Sequence, residues 1–533
     1  MGNILNKGAM DMEEKEEIIR LIPKRKKGLM RIIFSRLMIV ILLILIQVGI
    51  MLSVYSWFSE YFRYFSAVQA VFSIGMIFYL FNCSMDYSAK LTWLFIIMLV
   101  PVPGTIMLWY TQNDFGHRAI KTRIDSLIAD TKEKLSQKES VINAPELVQS
   151  GTDDLCRYLN RSGCFPIYDN TEVTYFPLGE DKFTAMLEEL EKAEKFIFME
   201  YFIIDEGYMW GRILSVLAEK AKQGVDVRVM YDGMCEVKLL SHDYPKKLEQ
   251  LGIKCKAFSP IRPFVSTHYN YRDHRKILVI DGRVAFNGGV NLADEYINKI
   301  ERFGHWKDTA VMLRGEAVQS FTLMFLQMWN ITEREPQWDS YLALPEETTQ
   351  EEGYVMPFGD CPLDKDKDGE MVYMDILNLA KSYVHIMTPY LILDNELETA
   401  LKFAAQRGVD VKLILPGIPD KKAAYALAKS HYKELVGAGV KLYEYTPGFV
   451  HAKVFVSDDE KAVVGTINLD YRSLYHHFEC GTYLYRKPCI AEIEADFADT
   501  LSKCSEVTHD TIKHEKVSYK LLGSAMKVIA PLM

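Results

Sequence analysis

Hydrophobic and polar positions divide the chain into two unlike parts. Three charge-free apolar runs come first, at 37–58, 65–83 and 91–110. Each approaches the roughly 20 residues a bilayer core demands, so residues 37–111 read as a helical membrane region. Beyond residue 153 the pattern changes to short apolar strands alternating with helical stretches. Residues 197–205 (IFMEYFIID) read as a strand, a helix runs on to Gln223, and Gly224-Val225-Asp226-Val227 enters a further strand, VRVMYD. The same order returns at 384–394 (VHIMTPYLILD), with a helix closing at Arg407 and Gly408-Val409-Asp410-Val411 entering VKLIL. A glycine just past each helix is the expected stop. Strand, helix and strand at this spacing form a βαβ unit, which implies a parallel pairing with helices against the sheet. The predicted architecture is therefore α/β: two pseudo-symmetric lobes of mixed sheets flanked by helices, at 153–345 and 371–533. An acidic, Pro- and Gly-containing linker, 346–370, joins them. Residues 112–152 are charged and helix-prone, and read as a linker or an interfacial helix.

Residues 1–36 are polar, acidic first (Glu13, Glu14, Glu16, Glu17) and then basic (Lys24, Arg25, Lys26, Lys27, Arg31, Arg36). Basic residues before the first apolar run place the N-terminus in the cytosol. The polar lead is too long for a signal peptide, and further apolar runs follow at once. The expected location is the cell membrane, with multiple passes. Three full spans would put the lobes outside, whereas a re-entrant third run, suggested by Pro101, Pro103 and the basic exit at Arg118, Lys121 and Arg123, would keep them in the cytosol. The net charge of −9 over 533 residues argues against nucleic acid as a partner. Nine scattered cysteines form no zinc-spaced group and read as reduced, buried thiols.

The candidate chemistry lies in a repeated kernel. YRDHRKILVIDGRVAFNGGVN, from Tyr271, contains His274-x-Lys276, Asp281 and Gly288-Gly289-x-Asn291. GFVHAKVFVSDDEKAVVGTIN, near Phe449, contains His451-x-Lys453, Asp458, Gly465-Thr466 and Asn468. The His-to-Asn interval is 17 residues in both copies. A strand keeps a histidine and a lysine two apart on one face, and the returning strand brings the asparagine beside them. A single His-x-Lys would mean little; two copies with matched offsets are specific.

Paired in one cleft, the kernels supply two imidazoles, two ammonium groups and two carboxamides, a set suited to a phosphodiester. Lys276, Lys453, Asn291 and Asn468 would hold the non-bridging oxygens and stabilise charge in the transition state. One imidazole attacks phosphorus while the other protonates the leaving alcohol, then deprotonates the incoming one. The scheme calls for no metal and no cofactor. Each imidazole needs an acceptor on its other nitrogen. Glu479, eleven residues after Asn468, is expected to serve His451. Arg302 stands at that offset in the first copy, so Asp308 is expected to serve His274, with Asp294 or Glu295 as alternatives. Asp281 and Asp458 belong to the motif but sit at the turn between strands, which favours a structural part. Asp364-Lys-Asp366-Lys-Asp368-Gly369 resembles the start of a calcium loop, with Asp375 in twelfth place. Glutamate is usual there and no helix precedes, so a solvated turn before a helix is preferred.

Two copies of HxKxxxxD followed by the Gly and Asn pattern resemble the phospholipase D superfamily. The likeness to bacterial cardiolipin synthases covers nearly the whole chain: NYRDHRKI, GGVNLADEY, WKD, TPY, and GFVHAK leading to NLDYRS. The resemblance implies transfer of a phosphatidyl group from one phosphatidylglycerol, the donor, to another, the acceptor, at a lipid bilayer. It makes His274 the nucleophile and His451 the acid/base, with exchange of roles left open. Competing readings are a phospholipase D that uses water, or a transferase using another alcohol. Thr466 replaces the usual Ser, and His476-His477 precede Phe478-Glu479 where Asn is common; both histidines read as wall residues.

Overall fold

The computed structural model describes residues 18–21, 49, 53, 62–112, 115–260, 271–342 and 351–532. The N-terminal part contains α1 (Phe62–Asn82), α2 (Tyr87–Leu99), α3 (Pro101–Gln112) and α4 (Phe115–Thr131). Asp86 caps α2 by accepting from the Ser88 and Ala89 amides at 2.9 and 3.1 Å. Helix α2 stops at Val100, and Pro101 opens α3, where its fixed φ and missing N–H cost nothing. The two helices fold onto each other, and Gly104 lets α3 approach the Ile96–Ile97 backbone of α2. The run 91–110 is thus split between helices of 13 and 12 residues, each ~20 Å long and too short for a ~30 Å hydrocarbon core. Among the described residues no helix is long and apolar enough to cross a membrane. This corrects the expectation of spans at 65–83 and 91–110; the run 37–58 lies outside the described residues save 49 and 53.

The first lobe contains β1 (Thr171–Phe176), α5 (Gly179–Glu191), β2 (Phe196–Tyr201), α6 (Tyr208–Lys222), β3 (Asp226–Asp232), β4 (Lys254–Phe258), β5 (Arg272–Asp273), β6 (Lys276–Ile280), β7 (Val284–Gly288), β8 (His305–Lys307), β9 (Ala310–Gly315) and α7 (Val318–Trp329). Its sheet runs β1-β9-β7-β6-β2-β3-β4. The second lobe contains β10 (Tyr354–Asp360), α8 (Asp368–Leu379), β11 (Tyr383–Met387), β12 (Leu391–Ile392), α9 (Asn395–Gln406), β13 (Asp410–Pro416), α10 (Lys422–Gly437), β14 (Lys441–Tyr445), β15 (Gly448–Val450), β16 (Val454–Ser457), β17 (Lys461–Gly465), β18 (Leu469–Asp470), α11 (Tyr471–His476), β19 (His477–Tyr485), α12 (Cys489–Ser502) and β20 (Cys504–Val507). Its sheet repeats the order as β10-β19-β17-β16-β11-β13-β14, with β20 added at the edge. As the βαβ reading requires, β2 pairs parallel with β3, and β11 with β13.

Strand alternation builds the cores. On β6, Ile277 and Val279 enter a core shared with Val454, Val456 and Val464 of the second lobe. Leu278 and Ile280 point the other way, into the first lobe's outer core, as Phe455 does in the second. Two stretches depart from the expected partition. Tyr354–Asp360, inside the expected linker, is the strand that pairs with β19. Val141, Leu147, Leu155 and Leu159 precede the first sheet in sequence but pack in the second lobe's core. Helix α4 is not a free linker either: Ile124 and Leu127 are buried in the shared core, and Arg123 donates to the Asn330 and Glu333 carbonyls at the end of α7.

Candidate active site

Two short parallel pairings between the lobes assemble the site. β5, just before His274, pairs with His477 and Phe478 at the start of β19, and the His274 N–H donates to the Phe478 carbonyl at 2.9 Å. β15, just before His451, pairs with β8, and the His451 N–H donates to the Lys307 carbonyl at 2.7 Å. The residue following each of those carbonyl-bearing partners is an acid, Glu479 or Asp308. Each histidine therefore meets the carboxylate of the other lobe. His274 Nδ1 lies 2.9 Å from both Glu479 oxygens, and His451 Nδ1 lies 2.6 Å from Asp308 Oδ2.

This exchanges the expected partners: Glu479 serves His274, and Asp308 serves His451. Spacing along the chain measures separation within one lobe and carries no trace of the strand exchange. The alternatives are committed elsewhere. Asp294 accepts the Met209 amide at 2.9 Å, and Glu295 pairs with Arg302 at 2.7 Å.

With Nδ1 engaged, each histidine keeps Nε2 for the cleft. His274, His451, Asn291 and Asn468 all line one cavity of about 730 Å³. That is the size of a headgroup site. The two asparagines differ. Asn291 accepts from the Ile203 amide and donates to the Tyr296 hydroxyl at 2.7 Å. Asn468 lines the cleft with its Oδ1 buried and without a hydrogen-bond partner among the described residues.

The lysines lie beneath the floor of the cleft. Lys276 and Lys453 are buried, and each donates to the carbonyl of its own histidine. Neither lines the cavity, so each acts on its contents as a nearby buried charge. A third buried lysine, Lys182, donates to the Val290 carbonyl at 3.3 Å; it lies on α5, outside both kernels, where spacing gave no signal.

Asp281 and Asp458 are not at the cleft. Asp281 accepts the Glu194, Lys195 and Phe196 amides at 2.7–2.8 Å. Asp458 accepts those of Lys381, Ser382 and Tyr383 at 2.7–2.9 Å. Both adopt positive φ, 55° each, at the hairpin turn. Each lies seven positions along extended chain from its histidine, roughly 20 Å at strand rise. Their place among catalytic candidates is corrected: they tie the hairpin to the strand beside it.

Supporting groups come from both lobes, and His477 takes the wall position expected of it. Thr466 and Ser473 donate to Glu479. Trp306 packs 5.3 Å from the His451 ring. His477 lines the cleft with its ring 5.2 Å from His274. Its Nε2 has no hydrogen-bond partner among the described residues.

Burial sets the charge states. It holds His274 well below the usual imidazole range, with Lys276 and Lys453 pushing the same way. Burial and Lys453 hold His451 down to about 4 against the pull of Asp308. Burial brings Lys276 to about 8 and Lys453 to about 7, against Glu479 and Asp308 respectively. Burial would raise Asp308, but His451 and Lys453 outweigh it and keep the carboxyl below its usual range. Near neutral pH the site thus holds neutral imidazoles, an ionised Asp308 and lysines close to their titration points.

The calcium-like stretch takes the turn form expected. Helix α8 begins at Asp368, and Asp375 lies 3.9 Å from the Lys461 ammonium instead of closing a loop.

Two α/β lobes, each lending a histidine to one cleft and an acid to its partner's histidine, define a phospholipase D-like enzyme. Residues 186–329 and 373–501, one segment per lobe, match the family model described as cardiolipin synthase, PLD-like domain. An uncharacterized protein of Streptococcus mutans is 59% identical over 86% of this chain and 100% of its own. A cardiolipin synthase of Halalkalibacterium halodurans is 33% identical over 94% of this chain and 100% of its own. Cardiolipin synthase 2 of Bacillus anthracis is 34% identical over 87% and 90%. The crystal structure of a phosphatidylserine synthase from Haemophilus influenzae shares the fold, with a TM-score of 0.55 and 14% identity over 72% of this chain and 97% of that one. The chain belongs to the cardiolipin synthase family of phospholipase D-like proteins.

Proposed function

We propose that the protein transfers a phosphatidyl group between two phosphatidylglycerol molecules, releasing glycerol and forming cardiolipin. His451 takes up a proton when the anionic phosphodiester binds beside it; His274 Nε2 then attacks phosphorus, the P–O bond to glycerol breaks, and His451 gives that oxygen its proton. The terminal hydroxyl of a second phosphatidylglycerol then passes its proton to His451 and attacks phosphorus. The P–N bond breaks and His274 is restored. Lys276, Lys453 and the Asn468 carboxamide stabilise the negative phosphoryl group in both steps.

The crossed carboxylates carry this reading, because they leave both Nε2 atoms to one cavity. They also favour the division of labour. Glu479 shares its charge among His274, Thr466 and Ser473, which weakens its pull on the His274 proton. Asp308 makes a shorter bond to His451 and, among the described residues, takes one further donor, the Thr309 amide. His451 is the better placed of the two to take up a proton.

The site of action we propose is the bacterial plasma membrane. The run 37–58 and exposed side chains such as Phe78 and Phe81 of α1 and Leu91 and Met98 of α2 support membrane attachment. Incubation of the purified protein with labelled phosphatidylglycerol tests the reaction. Cardiolipin and glycerol in equal amounts are expected; phosphatidic acid in their place would identify water as the acceptor and overturn the transferase reading.

A further inference from the structure

The C-terminal helix leaves an apolar face uncovered. Helix α13 (Val517–Ile529) continues into a 3-10 turn at Ala530–Leu532. At helical spacing Val517, Leu521, Val528 and Leu532 fall in one stripe, with Leu522 and Ile529 at its edge. All six are exposed, Val517 by 70% and Leu521 by 68%. A different side of the helix is anchored. Gly523 lies against the Ala426 carbonyl of α10, where a Cβ would come within 2.4 Å of the oxygen. Met526 packs against a cluster of Ile392, Leu427, Tyr471 and Ala530. Lys520 and Lys527 run along one flank of the stripe, and Lys513 and Lys516 precede it.

The C-terminal end of this helix joins features already described. Thr92 of α2 donates its hydroxyl to the Val528 carbonyl at 2.7 Å, fastening α13 to a helix that exposes Leu91, Phe95, Met98 and Leu99. Ala530, Ile392 and Tyr471 line the cleft that holds both histidines. The anchored side of α13 and the turn after it therefore border the reacting centre, while the stripe faces outward from the same element. A cavity of about 730 Å³ accommodates headgroups but not the four acyl chains of two phospholipids. Those chains need an apolar path outside it.

We propose that α13 lies in the surface of an anionic phospholipid bilayer, its stripe in the hydrocarbon boundary and its lysines among the headgroups. The wall at Ala530, Tyr471 and Ile392 carries the donor's acyl chains while its phosphate sits between the histidines. The second part rests on the phosphatidyltransferase reading. Lipid, rather than a second copy or a protein partner, is the occupant that fits an apolar stripe flanked by lysines on an element that borders a lipid-handling cleft and is fastened to the apolar-faced α2.

The test uses the full chain. A Leu521→Cys variant carries an environment-sensitive fluorophore, and Val148→Cys, 52% exposed in the parent, serves as a control. The parent, labelled in parallel, corrects for native thiols. Phosphatidylglycerol vesicles should shift the emission to the blue and raise it severalfold at position 521, more than phosphatidylcholine vesicles do, and leave position 148 unchanged. No change at 521 overturns the membrane contact. In a second arm Val517→Glu with Leu521→Glu should raise KM for vesicular phosphatidylglycerol about tenfold and leave turnover of a monomeric short-chain phosphatidylglycerol intact. Unchanged activity on both substrates, or equal loss on both, overturns the lipid-access role. Absence of cardiolipin from the parent itself would fault the proposed reaction, and the fluorescence result would still stand or fall separately.

Discussion

His274 and Glu479 stand 205 residues apart, in different lobes, with the imidazole Nδ1 2.9 Å from both carboxylate oxygens. Asp308 and His451, 143 residues apart, repeat the relationship in the opposite direction at 2.6 Å. The cause is in the backbone: the residues before each histidine add as a short parallel strand to the segment carrying the other lobe's acid. Neither half-site is complete within its own lobe. The crossing couples the lobes to the chemistry, since a shift between them would disturb both histidine–acid bonds at once.

The crossing predicts which histidine each acid governs. Glu479→Gln should alter the tautomer and ring-nitrogen shifts of His274 and leave those of His451 nearly unchanged; Asp308→Asn should do the reverse. Nitrogen NMR on histidine-labelled protein reads this directly. Turnover should fall in each by about 100-fold or more, the loss expected when a catalytic imidazole loses its orienting carboxylate. A response of His451 to Glu479→Gln would contradict the structure.

The aspartates of the motif should behave as fold residues. Asp281→Ala or Asp458→Ala removes an acceptor of three backbone amides. The expected cost is about 2 kcal/mol in denaturant unfolding. Turnover per folded molecule should remain within about threefold of the parent. Loss of turnover at unchanged stability would return them to the reaction.

Activity and stability should depend on pH with opposite signs above neutrality. Lys453 titrates near 7 and Lys276 near 8, so kcat/KM should fall as pH rises through that window and the ammonium charges are lost. Free lysine titrates near 10.4, so the unfolded chain binds more protons than the folded one between about 7 and 10. Stability contributed by these groups therefore rises over that interval. Lys453→Arg, which replaces the group that loses its proton first, should move the alkaline limb of the rate profile upward. A profile flat to pH 9 would remove the lysines from the mechanism.

Much of this was legible in the chain. Period-two alternation at Ile277–Ile280 and Val454–Val456 marked the hairpins, and the matched interval from His to Asn marked the two kernels. Glu479 and Asp308 were legible as orienting acids by type, but not by partner. Sequence spacing measures separation within a lobe, whereas the pairing is set by β5 and β15, strands of two and three residues that no periodicity reveals. Hydropathy misjudged 91–110 for a related reason: it counts apolar residues and is blind to the chain reversing at Val100–Pro101. The uncovered face of α13 was hidden because an apolar stripe reads alike whether it meets a core, a partner or a lipid.

Added metal should inhibit rather than assist. His274, His477 and Glu479 present ligand atoms within 4.8 Å of one another, and a divalent ion seated there would take the carboxylate from the nucleophile. Activity should persist in excess EDTA, and zinc should inhibit reversibly, less so in His477→Asn. Loss of activity in EDTA that returns only on adding a cation would contradict a mechanism built on side chains alone.

The central claim, that imidazoles from opposite lobes act in turn on one phosphorus, is tested most directly by trapping the intermediate. Phosphatidylglycerol labelled at phosphorus would be mixed with enzyme, quenched within a turnover under base, and the labelled peptide mapped. The account predicts label on His274, none in His274→Ala, and little in His451→Ala, whose leaving glycerol lacks its acid. Label on His451 would reverse the assigned roles, and turnover to cardiolipin with no labelled histidine at any time would contradict the account.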